Sequence, residues 1–162
     1  MDFPDATLKQ RLGRAITPLF MLRARLLRPM TFGVRIAGFD ESGRVFLVKH
    51  TYVPGWYLPG GAVDPGETVE QAARREAMEE GNLVVDGPMD LRGIYQNHEV
   101  SVRDHVAFYV ARNVSQTAPR LPDREIADSG FFELDALPQD ATGATRRRLD
   151  ELSGARQPDG YW

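Results

Sequence analysis

The feature that most constrains the fold is the segment from Gly60 to Leu83, where a glycine-rich loop and a tight turn lead into a helix. Thr68 and Gln71 have the spacing of a capping box, which predicts where the helix begins. On a wheel of about 100° per residue, apolar side chains and carboxylates share one face. The apolar members are Val69, Ala72, Ala73, Ala77 and Leu83, and the carboxylates are Glu76, Glu79 and Glu80. The sequence therefore predicts a helix that turns three negative charges toward the protein interior.

These three glutamates are spaced i, i+3 and i+4, so they lie within about one helical turn of each other. Like charges that are close together and partly buried repel each other and resist desolvation. Raised pKa values or bound cations would relieve the repulsion. Clustered hard oxygen ligands suit Mg²⁺ or Mn²⁺, which take further ligands from phosphate. We interpret the segment as a metal–phosphate site; the alternative is an ordinary amphipathic helix whose glutamates reach solvent.

The residues around the helix fit the metal interpretation. Gly60 and Gly61 allow the preceding loop to run close to a metal, and a glycine carbonyl there could be a ligand. Arg75 stands four residues before Glu79 and could pair with it, or with Glu67 at the helix start. Either contact would hold a carboxylate in position for a metal ion.

The pattern of Gly61, Glu67 and the run from Arg75 to Glu80 resembles the Nudix box, G-x5-E-x7-R-E-U-x-E-E-x-G-U, where U is a bulky aliphatic residue. Two positions depart from it: Ala77 stands at the first U, and Asn82 stands at the last glycine. Asparagine tolerates the left-handed conformation better than other non-glycine residues. We therefore expect the helix to end at Asn82 with a small cost in stability.

The resemblance implies an α/β protein with the Nudix fold, a mixed β-sheet sandwiched between α-helices. It also implies a hydrolase of phosphorus-containing acid anhydrides that uses Mg²⁺, with Mn²⁺ as a substitute. The metal ligands carried over by position are Gly60, Glu76, Glu79 and Glu80. The catalytic residues are Glu79, Glu76, Arg75 and Glu125, and the residues that support the box are Gly61 and Glu67. The general base in this family is a box glutamate or a carboxylate on a later loop, for which Glu125 is the first candidate and Glu99 the second.

The substrate is less constrained than the site. Arg35 or Arg103 could hold a phosphate and Tyr52 could stack on a base, although each side chain could instead serve packing or surface charge. His50, His98 and His105 have no metal-ligand spacing, so we do not expect them to bind metal.

The function predicted is Mg²⁺-dependent hydrolysis of the diphosphate bond in a nucleoside diphosphate linked to another moiety. One alternative is a nucleoside triphosphate pyrophosphohydrolase that cleanses the nucleotide pool. Another is a non-catalytic Nudix domain that senses a nucleotide, which would not need three repelling carboxylates. An RNA-end pyrophosphohydrolase is disfavoured by the acidity of the main domain.

Composition limits the remaining possibilities. The absence of cysteine excludes disulfides, thiolate zinc sites and cysteine nucleophiles. Residues 1–28 carry six basic and two acidic side chains, so the rest of the chain is acidic and no DNA binding is expected. No apolar run reaches the roughly 18 residues of a membrane span, and no secretory signal is evident, so we expect a cytoplasmic protein. An apolar N-terminal helix would suit a homodimer interface.

The chain is divided into a helical extension at residues 1–30, a Nudix domain at 31–138, and a C-terminal helix and tail at 139–162 packed on that domain. Helices are expected at residues 5–28, from Thr68 onward, and at 142–152, followed by a loose tail at 154–162. Strands are expected at residues 32–39, 44–50, 83–85, 91–97, 104–113 and 130–134.

Overall fold

A computed structural model describes residues 30–162 of the chain, and the helix predicted at residues 5–28 lies outside this range. The described strands are β1 (Thr31–Gly38), β2 (Val45–His50), β3 (Trp56–Tyr57), β4 (Leu83–Val84), β5 (Asp90–Gln96), β6 (Asp104–Ala111), β7 (Ser115–Gln116) and β8 (Ile126–Phe132). The described helices are α1 (Val69–Gly81) and α2 (Gly143–Ser153). Neither helix has the length and apolar character needed to cross a membrane.

The strands form two three-stranded sheets and one two-stranded ribbon within residues 30–162. The first sheet has the order β1-β6-β5, in which β1 is parallel and β5 antiparallel to β6. The second sheet has the antiparallel order β3-β2-β8, and β4 pairs with β7. The mixture of parallel and antiparallel pairs, together with helices, confirms the predicted α/β class.

The two helices cover opposite sides of β2. Successive side chains of a strand point to opposite faces. Phe46 and Val48 accordingly join the apolar cluster that contains the alanines of α1. Val45 and Leu47 join the second cluster, which includes Leu149 of α2. Because β2 is buried on both faces, it is continuously apolar from Val45 to Val48.

The start and end of α1 follow from local chemistry. The Thr68 hydroxyl accepts a hydrogen bond from the Gln71 backbone N–H, and the Gln71 side chain accepts one from Thr68, so the predicted capping box is confirmed. Asn82 ends the helix in the left-handed region with φ 52°, as its place in the sequence predicted. A Cβ on Gly81 would lie 2.7 Å from the Phe46 ring, so the glycine allows the helix end to approach the sheet.

Several predicted element boundaries were wrong. Strand β8 begins at Ile126 rather than residue 130, because its pairing with β2 extends to His50. It ends at Phe132, two residues before the predicted position. The short strands β3 and β7 were not predicted, because two residues carry too little periodicity to be recognised.

The prediction of a loose C-terminal tail was also wrong at its end. The backbone N–H of Trp162 donates to the Gln96 carbonyl at 2.9 Å, beside the edge of β5. The Trp162 ring packs edge-on against Tyr95 and Phe108. Partial burial of this large aromatic side chain holds the end of the chain in place. Residues Thr31–Trp162 thus form one compact unit.

Candidate active site

The three box glutamates of α1 lie at different depths. Glu80 is buried, with 5% of its surface exposed, and Glu76 is half-buried. The prediction that all three face inward was wrong for Glu79, whose side chain is 58% exposed. Glu79 lies at the edge of the helix face that carries the buried Ala72, Ala73 and Ala77, where α1 meets solvent. Two of the carboxylates therefore lose much of their water and one keeps it.

The glycine loop approaches these carboxylates more closely than any other residue type would allow. The Gly60 N–H donates to Glu80 Oε2 at 2.9 Å. Gly60 has φ +146°, and a Cβ there would lie 2.0 Å from the Val34 carbonyl oxygen. A Cβ on Gly61 would lie 2.5 Å from Glu76 Oε1. The loop backbone and the carboxylates of Glu76 and Glu80 therefore share one small space.

Arg75 joins several carboxylates through one guanidinium group. Its Nη2 lies 2.8 Å from Glu67 Oε1, and its Nη1 donates to Glu76 Oε1 at 2.8 Å. The same Nη1 donates to Glu79 Oε2 at 3.1 Å. Both pairings considered for Arg75 are thus present together. The hydrogen bond from Arg75 is the main reason why the pKa of Glu67 lies below its usual range.

Burial dominates the electrostatics of the inner carboxylates. It raises the pKa of Glu80 to about 7, and the Gly60 N–H and the charge of Arg35 only partly oppose this effect. Burial also raises the pKa of Glu76, although Arg75 hydrogen-bonds to it. The positive groups nearby therefore do not fully offset the cost of burying these negative charges. A bound cation would offset more of that cost.

His50 and Glu125 lie close to this group. His50 Nε2 is 3.6 Å from Glu80 Oε1, and burial lowers the pKa of this histidine. Three potential metal-ligand atoms lie within 4.8 Å of one another, one each from His50, Glu80 and Glu125. Sequence spacing did not identify His50, since the strand that ends with it is distant from α1 along the chain. Glu99, the second later-loop candidate, instead lies 4.0 Å from Arg147 Nη2.

The candidate substrate residues have different surroundings. Arg35 Nη1 donates to the Leu58 carbonyl at 2.9 Å, and its guanidinium lies 5.8 Å from the Tyr57 ring centroid. The Tyr52 ring is exposed, and its centroid lies 5.1 Å from that of His50. The exposed Arg103 lies just before β6, and within residues 30–162 no side-chain hydrogen bond or ion pair links it to the box.

A cleft of about 390 Å³ opens beside Arg35. Tyr57 and Trp162 supply aromatic surface to its walls, and Asn97 and Arg147 supply polar groups. This combination of aromatic walls with a few polar groups, and this volume, are typical of small-molecule pockets.

Comparison with known proteins agrees with the geometry. The sequence profile of the NUDIX domain matches residues 29–152. The chain is 43% identical over 84 residues to an RNA pyrophosphohydrolase of Gluconobacter oxydans, covering 40% of this chain and 49% of that protein. It is 51% identical over 49 residues to an oxidized purine nucleoside triphosphate hydrolase of Danio rerio, covering 28% and 31%. The chain spans about half the length of the first curated relatives that it matches.

The crystal structure of a MutT NUDIX hydrolase from Burkholderia pseudomallei is similar to this fold, with a TM-score of 0.65. The two sequences are 31% identical, and the similarity covers 76% of this chain and 98% of that chain. The profile match extends over most of the chain and includes the complete box. The chain therefore belongs to the Nudix family.

Proposed function

We propose that this protein hydrolyses a diphosphate bond in a nucleotide-like small molecule with the help of a divalent cation. The observation that supports this proposal is the crowding of Glu76 and Glu80 against the Gly60–Gly61 loop. Two partly desolvated carboxylates beside a loop that admits no side chain make a site for a small, highly charged ion. Mg²⁺ as the working ion and a cytoplasmic location belong to the same proposal.

The residues present fit a divalent cation, which is the cofactor that the Nudix family implies. The carboxylates of Glu76, Glu79 and Glu80 and the Gly60 carbonyl would hold the cation, since all are hard oxygen donors. A cation bound there would supply charge neutralisation for the diphosphate and a more acidic water molecule. Arg75 would keep Glu76 and Glu79 oriented, because its guanidinium contacts both.

Other side chains would bind the substrate and accept the proton. Arg35 would bind a phosphate group, since its charge lies close enough to lower the pKa of Glu80. The exposed Tyr52 ring would stack on a base. The proton of the attacking water would pass to a carboxylate oxygen of Glu79 or Glu125, both of which reach solvent.

A nucleoside diphosphate linked to another moiety is the first substrate class that we propose. The second is a nucleoside triphosphate, and it is favoured by the name of the Danio relative, an oxidized purine nucleoside triphosphate hydrolase. The products distinguish the two classes. A nucleoside monophosphate with a phosphorylated partner indicates the first, and released pyrophosphate indicates the second.

The test is a substrate panel of ADP-ribose, 8-oxo-dGTP and triphosphorylated RNA with Mg²⁺ or Mn²⁺. We expect Glu80→Gln and Glu79→Gln each to lower kcat about a hundredfold or more while the protein stays folded. Glu41→Gln is the matched control, because Glu41 is exposed in the turn between β1 and β2 and belongs neither to the box nor to the cleft. Near-wild-type turnover by both box variants would refute the site. Nucleotide binding without cleavage of any panel member would indicate a sensor instead.

A further inference from the structure

His50 is a buried histidine whose hydrogen-bonding groups lack ordinary partners. It is 6% exposed, and Nδ1 has no hydrogen-bond partner. Its Nε2 points toward Glu80 Oε1 at 3.6 Å, which is longer than a hydrogen bond. Buried polar atoms in native proteins nearly always have a hydrogen-bond partner, so a buried imidazole without one needs an explanation.

The fold fixes the position of this imidazole. The pairing of β2 with β8 shifts register between Lys49 and His50, and the Thr51 N–H then donates to the Glu125 carbonyl at 2.9 Å. This irregular pairing brings Glu125 beside the end of β2. The His50 ring also lies 5.1 Å from the Tyr52 ring and 5.6 Å from the Tyr57 ring, measured between centroids. The histidine is therefore held by packing on several sides.

The donor atoms are close enough to share one ion. Ligands about 2.1 Å from a metal lie about 3.0 Å apart at right angles and about 4.2 Å apart on opposite sides. The ligand atoms of His50, Glu80 and Glu125 lie within 4.8 Å of one another. Small side-chain adjustments, mainly of the exposed Glu125, would complete the coordination.

We propose that His50, Glu80 and Glu125 form a binding site for a divalent transition-metal ion, with one imidazole nitrogen and two carboxylate oxygens as protein ligands. This inference rests on the proposed function, because Glu80 belongs to both. The imidazole nitrogen is a softer ligand than oxygen, and it suits transition-metal ions such as Zn²⁺ better than Mg²⁺. Mn²⁺ lies between these two, because it is a transition-metal ion that also accepts oxygen ligands.

This assignment has a consequence for the reaction. If Glu125 is a metal ligand, its coordinated oxygen cannot also accept the proton, and the remaining candidate acceptor is the Glu79 carboxylate oxygen that does not bind the cation. A competing role for His50 is donation of an N–H to a substrate phosphate, without any metal bond. The two roles differ in one measurable property, which is direct bonding between nitrogen and the ion.

The experiment measures electron spin echo envelope modulation on the full chain loaded with Mn²⁺ and no nucleotide. We expect ¹⁴N modulation from a coordinated imidazole in the wild type, and ¹⁵N modulation when the histidines are ¹⁵N-labelled. We expect its loss in His50→Gln, in which the amide oxygen can still act as a ligand. His98→Gln is the matched control, since His98 is exposed and packs on Tyr161.

Metal titration supplies a second readout, and one of its two variants alters no buried residue. Glu125→Gln replaces an exposed side chain, and we expect it to raise the Kd for Mn²⁺ about tenfold. We expect His50→Gln to lower the preference for Mn²⁺ over Mg²⁺ by a similar factor. Tight Mn²⁺ binding without nitrogen modulation would overturn this inference and leave the proposed function standing. Failure to bind any divalent ion, with or without nucleotide, would overturn both.

Discussion

Glutamine in place of Glu80 is expected to stabilise the metal-free protein at pH 8. The Glu80 carboxylate is buried on α1, and burial raises its pKa to about 7 from an ordinary value of 4.5. The folded state therefore holds a proton on this group at pH values where the unfolded chain has released it. The resulting stability is fully present below about pH 4.5 and is lost as the pH rises through 7.

The size of the effect follows from the same two pKa values. Each pKa unit corresponds to about 1.4 kcal/mol, so ionisation costs about 3 kcal/mol of unfolding free energy by pH 8. Glutamine is uncharged, and its amide oxygen can still accept the hydrogen bond that the Gly60 N–H gives to Glu80. We expect a gain approaching 3 kcal/mol at pH 8, or about 6–12 °C in Tm. At pH 5 the gain should fall below about 1 kcal/mol.

The assay is urea unfolding in EDTA at pH 5 and pH 8, followed by circular dichroism. Glu79→Gln is the matched control because the same helix presents that side chain to solvent. Loss of its exposed pair with Arg75 should change stability by no more than about 0.5 kcal/mol. In a parallel series, Mg²⁺ should stabilise the wild type more than the Glu80→Gln protein.

Two results would refute this reasoning. One is a Glu80→Gln protein that is no more stable than the wild type at pH 8. The other is a gain of equal size at pH 5 and pH 8, because this would arise from packing rather than from a buried charge. Either result would mean that the Glu80 carboxylate is adequately solvated without a cation.

Substitutions at three positions test the geometry of the box, and two of them have a control substitution. Gly60→Ala should cost about 3 kcal/mol or more in urea unfolding, because its Cβ would collide with a carbonyl oxygen of β1. The control Gly43→Ala, at a φ of +83°, also places a side chain at positive φ but meets open space, and it should cost only about 1 kcal/mol. Asn82→Ala should lower stability by about 1 kcal/mol, whereas Asn82→Gly should stay within about 0.5 kcal/mol of wild type; equal losses would exclude left-handed strain as the cause. Arg75→Lys should lower kcat about tenfold with little change in Tm, since lysine cannot contact Glu67 and Glu76 as a planar fork; unchanged kcat would exclude an orienting role.

The parts of the site that were predicted from sequence are those set by local geometry. The capping box, the buried alanines, and the left-handed end at Asn82 all depend on residues within a turn or two of each other. The inward direction of Glu80 follows from the same helical period. The exposure of Glu79 was predicted wrongly because this residue lies at the edge of the buried helix face. At that edge, the neighbouring loop determines whether a side chain is exposed.

The parts that were not predicted depend on pairing between distant segments. His50 meets Glu125 because β2 pairs with β8 across a register shift, and no pattern in either strand specifies that shift. The end of the chain was expected to be loose because chain termini are usually poorly ordered unless something holds them. It is held instead by Trp162, whose backbone pairs with Gln96.

The charges around α1 indicate where a cation is most needed. Arg75 contacts Glu67, Glu76 and Glu79, so one positive charge is divided among three carboxylates. Within residues 30–162, the only ionisable group within 4 Å of Glu80 that could oppose its charge is His50, whose pKa is lowered by burial. A neutral imidazole cannot neutralise a carboxylate, but it can share a metal ion with one. The predicted pH-dependent instability and the proposed metal site therefore have the same origin, and a bound divalent ion should abolish the loss of stability between pH 5 and pH 8.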